Sequence, residues 1–338
     1  MLCPSCGRMT GGEGDFCIYC GARIPRPITS VSEGDVKRLR EQLVPIVNHK
    51  DRTDLRISTL WVIIPFIAQM TLTAALVVIL LAEAFAGLDG LGYDTDDPYD
   101  LYSVESMAYY VGICGAFSAA YLALAVLTYN LVRRHNRHFA RERRFRDAIM
   151  SFSERSAGTR FQYSIPANAE TKRFPVLWAG VIAFPVVTSL VGSVLMMVVL
   201  SADDPDFGAF ILIILALSVV SLILLVAQFY LFYFLTVEMA AHHRRWMGFV
   251  RETKVLFGRA GYTAGRLSER ERLPDRSMAL YVIVSLLTGV FIYYWWYTII
   301  KDGNEHFRHH RYFEDQLIAL LSTRPTGPED ENASISWV

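Results

Sequence analysis

Five stretches of this 338-residue chain run without a single Asp, Glu, Lys, Arg or His: residues 60–82, 107–132, 174–202, 207–237 and 277–300. Each exceeds the roughly 20 residues that an α-helix needs to cross about 30 Å of hydrocarbon. The pattern predicts a mostly α, polytopic helical membrane protein with four spans, plus a fifth stretch that either crosses or re-enters. A composition 53% apolar, with mean hydropathy +0.29, agrees. The first 59 residues are polar and cysteine-bearing, so the first span itself is expected to direct insertion.

Charge orients these spans. Of the 33 Lys and Arg, nine precede the first span, eleven fall in 133–173, nine in 238–276 and four after 300. The remaining loops, 83–106 and 203–206, carry only acidic charges. By the positive-inside rule the N-terminus and both basic loops are cytoplasmic.

The spans fall into repeats. Arg56, Arg173 and Arg276 are each followed four and five residues later by Leu and an aromatic: Leu60 and Trp61, Leu177 and Trp178, Leu280 and Tyr281. Such arginines suit an interface anchor. The units also end alike. Residues 129–147 align without a gap on 297–315, matching Tyr129, Asn136, His138, Phe139, Arg143, Phe145 and Asp147 with Tyr297, Asn304, His306, Phe307, Arg311, Phe313 and Asp315. The middle tail, from His242 to Glu252, echoes them loosely. The chain thus divides into three membrane units, 56–150, 173–257 and 276–321, preceded by a four-cysteine segment (1–24) and by a linker with an amphipathic helix (25–55), and ended by a tail expected to be disordered (322–338).

The third unit is short: 28 residues separate its opening arginine from its asparagine, against 80 in the first. A single crossing would leave its tail outside, opposite the tail it matches. Thr288 and Gly289 sit mid-stretch, where a glycine permits a break. Two half-length helices, about 279–287 and 290–301, forming a re-entrant hairpin are therefore expected, with a fifth span as the alternative. Thr288-Gly289-Val290-Phe291, followed by Tyr293 to Tyr297, resembles a family of small prokaryotic membrane domains with a T-x-G-[IV]-[YF] element and an aromatic-Trp pair. That resemblance implies no activity.

Cys3, Cys6, Cys17 and Cys20 form C-x2-C-x10-C-x2-C, with Gly7 and Gly21 after each pair. Two thiolate pairs at this spacing close a tetrahedral Zn²⁺ site, favoured over disulfides in a reducing cytoplasm. The stretch resembles the zinc-ribbon family, in which two knuckles top a small β-hairpin; the likeness makes the four cysteines the metal ligands. Its few basic residues and aromatics do not suit nucleic-acid binding, and a cytoplasmic protein partner is expected instead. Cys114, in the second span, reads as a packing residue.

Seven of the eight histidines sit in the tails: His135, His138, His242, His243, His306, His309 and His310. His306 and His310 lie one helical turn apart and can hold a transition metal. No completing ligand stands beside them, so interfacial amphipathic helices, with arginines at the lipid headgroups, are the expectation. The acidic stretch 94–100 lacks the glycine and glutamate of a Ca²⁺ loop and reads as solvated. Ser32 with Asp35 predicts a helix start, and Val36, Leu39 and Leu43 share one face of it. The chain holds no phosphate loop, nucleophile elbow or H-E-x-x-H motif, so no reaction is named. The expected function is a non-enzymatic, membrane-anchored, zinc-binding scaffold. A small-molecule permease or channel is the alternative, distinguished by a polar cavity around Gln69, Gln228 and Thr288; a nucleic-acid tether through the ribbon is the second.

Overall fold

The computed structural model describes residues 19–20, 31–89, 104–156, 170–200, 207–264, 267 and 273–323. Cys3, Cys6 and Cys17, the stretch 94–100, most of the ribbon and the end of the C-terminal tail lie outside them, as does the side chain of Cys114; Cys20 is exposed. Among the described residues there is no strand.

The helices are α1 (Glu33–Asn48), α2 (Lys50–Thr53), α3 (Leu60–Asp89), α4 (Val104–Ser156), α5 (Pro175–Leu200), α6 (Phe207–Tyr233), α7 (Met239–Arg259), α8 (Met278–Thr288) and α9 (Phe291–Leu320). A π turn, Phe234–Glu238, joins α6 to α7 without a break. Helices α3, α5 and α6 are long and apolar enough to cross a membrane, and the first half of α4 carries a fourth apolar stretch. Large side chains on these helices, among them Ile64, Val78, Val194, Leu212 and Ile223, stand more than half exposed. Helices apolar on every face, with such side chains uncovered, match a lipid environment.

The fifth stretch breaks at Gly289, whose φ of 65° lies in the left-handed region. Thr288 Oγ1 donates to Val284 O and accepts from the Phe291 amide, satisfying the reversal locally. Helices α8 and α9 then run antiparallel: Tyr281 packs on Phe291 and Trp295 (5.1 and 5.2 Å), and at the open end Arg276 grips Asp302 through two bonds of 2.6 and 2.8 Å. Eleven residues of α8 rise about 16 Å, half a bilayer core. The hairpin therefore returns to the end it started from.

Below the apolar half, α4, α7 and α9 continue as one helical bundle. This corrects the expectation of separate interfacial tails: Phe307 and Phe313 are buried at 3% and 2%, and His306 and His310 are fully buried. The tails are amphipathic because they pack against one another. Helix α1, capped by Ser32 accepting from the Asp35 amide at 3.0 Å, closes the bundle. Its Val36, Leu39, Leu43 and Val47 join a core with Phe145, Phe249, Phe313 and Leu317.

The three tails share one register. Asn136 bonds the Arg173 backbone in both directions (2.8 and 3.0 Å), and Asn304 does the same to Ile57 (2.9 and 3.3 Å). Each asparagine thus holds the start of the next unit, in the cyclic order first to second, third to first. The order holds among rings too: Phe139 lies 4.2 Å from His242, His243 lies 5.3 Å from His306, and Phe307 lies 4.4 Å from His138. Two of the three repeated arginines close ion pairs within their own units, Arg173 with Glu238 (2.7 Å) and Arg276 with Asp302, rather than reaching for headgroups. The bundle is a pseudo-threefold assembly of one repeated tail.

A candidate metal centre on the pseudo-axis

Three histidines occupy the same register position, one per unit: His138, His242 and His306. Their ring centroids form a near-equilateral triangle with sides of 5.8, 5.1 and 5.2 Å. One helical turn further on, the equivalent positions hold Glu142, Trp246 and His310. Helix periodicity places i and i+4 on one face, so each tail offers two consecutive residues to the axis. The π turn before α7 widens the helix by about one residue and rotates all of α7 by roughly 100°. That rotation sets the face on which His242 and Trp246 emerge.

His138, Glu142, His242, His306 and His310 each bring a ligand atom into a group in which every atom lies within 4.8 Å of the others. All five residues are fully buried. Glu142 Oε2 is central: His242 Nε2 is 2.7 Å away, His138 Nε2 3.3 Å and His310 Nδ1 3.6 Å. None of His138 Nε2, Glu142 Oε2, His242 Nε2, His306 Nε2 or the His310 ring nitrogens makes a hydrogen bond of acceptable geometry. Orphaned buried polar atoms are costly when scattered, and here they converge on one point. The cluster can hold a metal ion.

A second ring of groups orients the first. Asp54 Oδ1 takes the Nδ1 side of His138 at 2.9 Å, directing Nε2 to the axis, and His243 Nδ1 meets His306 Nδ1 at 3.1 Å. A carboxylate behind a histidine is the usual support of a metal ligand. Arg146 bonds Glu142 Oε1 and, at 2.7 Å, Glu170; Arg141 bridges Asp54 (2.7 Å) and Glu314 (2.6 Å). Four carboxylates thus face two bridging guanidiniums around the cluster.

The electrostatics follow from burial. Burial and the repulsion of His242 and His138 hold His306 well below the ordinary imidazole range, and burial with His306 and His138 does so for His310. Neutral imidazole is the form that ligates. Burial opposes ionisation of Glu142, but His242, His138 and Arg146 overcome it and hold the carboxyl well below its usual value. Burial pushes Glu314 up to about 7 although Arg141 works against it.

Of the tail histidines singled out in the sequence, His306 and His310 therefore enter the site, while His309 turns to Glu305 at 2.9 Å. His138 and His242 join them from other units. Sequence reasoning missed Glu142, His242 as the third equivalent histidine, and the supports Asp54 and Glu170. The signal was available: carrying the gapless alignment of the outer tails onto the middle one puts a histidine at one position in all three.

Comparison with family models, with curated proteins and with solved structures finds no match to this chain. The likenesses of the N-terminal cysteines and of the third unit rest on their own residues.

Proposed function

We propose that this chain is a membrane-anchored, metal-binding scaffold, in which three repeated units close a cytoplasmic helical bundle on one divalent transition-metal ion. The observation that carries the reading is the convergence, from three helices, of five buried ligand atoms that make no well-formed hydrogen bond. The N-terminal cysteines add a second, zinc-binding unit suited to contact with a cytoplasmic partner. The loop charges orient the bundle and the N-terminus to the cytoplasm. Beside Thr288 the structure has a groove of about 450 Å³ lined almost wholly by apolar and aromatic side chains, including Val62, Ile63, Phe66, Phe291 and Tyr293. Gln69 itself accepts from the Tyr293 hydroxyl at 3.2 Å. That lining supports an anchoring role over a polar translocation path.

The test uses the full chain in detergent with all four ribbon cysteines replaced by serine, stripped by a chelator. Added Mn²⁺, Fe²⁺ or Zn²⁺ should raise the melting temperature in proportion to the logarithm of free metal, about 2.7 kcal/mol at 100 times Kd. His242→Ala should reduce the rise at the same free metal. No rise with any of these ions would contradict the reading.

A further inference from the structure

The pseudo-threefold axis constrains more than the presence of an ion. An octahedron is two staggered triangles stacked along a threefold axis, and the bundle supplies two such layers. His138, His242 and His306 make the first, one from each unit; Glu142, His310 and Trp246, one turn on, make the second. Five of the six positions carry a donor atom and the sixth carries an indole. With metal–nitrogen bonds of about 2.0–2.1 Å, opposite ligands stand about 4.2 Å apart, close to the 4.8 Å that bounds the present donor atoms. Trp246 is buried at 2% and stacks on His310 with centroids 3.8 Å apart and planes 19° apart. It is also wedged against Phe249 and Phe313 at 5.4 and 5.6 Å, so it cannot swing aside.

Glu142 contributes a single oxygen, because its Oε1 is taken by Arg146. The donor set is therefore four imidazoles and one carboxylate oxygen, with no thiolate. Structural zinc closes with four ligands, whereas first-row ions such as Fe²⁺, Mn²⁺, Co²⁺ and Ni²⁺ accept five or six nitrogen and oxygen donors.

We infer that the centre is five-coordinate, selects an ion of the iron(II) type over tetrahedral zinc, and has its sixth coordination position capped by Trp246, which keeps small exogenous ligands off the metal. This rests on the metal-binding reading above. A capped, coordinatively filled ion holds helices together and does not activate water. The missing donor of the middle unit is thus a functional departure from threefold symmetry.

Cobalt(II) reports coordination number through its visible absorption, weak for five or six ligands and intense for a tetrahedron. The full chain with its ribbon cysteines replaced by serine is titrated with Co²⁺, then with azide. One equivalent of cobalt with weak bands, unmoved by azide, is the expected result. His310→Ala should intensify the bands as the ion falls to four ligands, and Trp246→Ala should leave cobalt bound but let azide shift the spectrum. The more conservative Trp246→Phe, which keeps an aromatic wedge, serves where the alanine variant fails to fold and should admit azide partially. Intense tetrahedral bands in the parent, or an azide shift in the parent equal to that of the tryptophan variants, overturns this inference while leaving metal binding intact. No cobalt uptake at all overturns the metal-binding reading and this one with it.

Discussion

Replacing Ala240 by Asn should stabilise the protein. Ala240 stands where Asn136 and Asn304 stand in the other two tails, and each of those side chains makes two bonds to the backbone that opens the next unit. At the third junction an alanine has no polar atom to offer, and a cavity of about 120 Å³ lies there, bounded by Ala240, Met239, Pro274, Asp275 and Arg276. An asparagine there would extend into that space, which Arg276 also lines. Two net hydrogen bonds contribute about 1–3 kcal/mol together. Against this stand roughly 0.5–0.7 kcal/mol of lost helix propensity and a fraction of a kcal/mol of side-chain ordering. A gain of up to about 2 kcal/mol remains, worth roughly 2–4 °C in melting temperature per kcal/mol for a domain of this class. The assay is thermal unfolding in detergent, with Asn136→Ala as the reciprocal change, expected to cost about 1–3 kcal/mol by stripping partners from the Arg173 backbone. A lower melting temperature for Ala240→Asn would refute the threefold reasoning, since a true third copy must accept what the other two already contain.

Arg141→Met leaves Asp54 and Glu314 facing each other without their bridging cation and should cost about 3–5 kcal/mol by chemical denaturation, the usual penalty for half of a buried pair. Gly303→Ala should also destabilise, by about 1–2 kcal/mol net of its helix-propensity gain, because a Cβ there meets the Arg134 guanidinium at 2.8 Å and dislodges it from Leu55 O and Asn304. Glu314, pushed up to about 7 from 4.5, binds a proton in the fold that the unfolded chain has released. Its contribution is therefore fully present below about pH 4.5 and is lost as pH rises through 7, about 3 kcal/mol in all. In metal-free protein, Glu314→Gln should accordingly gain stability relative to the parent between pH 5 and 8, measured by melting temperature; parallel pH profiles would contradict the assignment.

The membrane architecture was legible in the sequence because lipid imposes one demand, an uninterrupted run of apolar residues, that composition records directly. The hairpin was legible as well: the conflict between a single crossing and a cytoplasmic tail pointed at Gly289, where the chain does reverse. The histidine–glutamate cluster was hidden for a physical reason. Its donors come from residues 138–142, 242 and 306–310, so local spacing shows at most the His306–His310 pair, and arginines such as Arg141 and Arg146 look like a solvated basic face until their carboxylate partners arrive from the end of α2, from α9 and from the turn at Glu170. Burial in a bundle made of three weakly similar tails reverses the meaning of each polar residue. The repeat was the one feature that could have assembled the site in advance.

The most direct measurement is the metal content of the full chain with its four ribbon cysteines replaced by serine, by elemental analysis after dialysis against Fe²⁺, Mn²⁺ or Co²⁺. A metal centre on the axis predicts one tightly held equivalent in the parent, and affinity weakened alike in His138→Ala, His242→Ala and His306→Ala because each removes one of three equivalent ligands. Parental affinity in any one of these variants, or no metal in the parent, would contradict a metal centre on the axis of the three repeats.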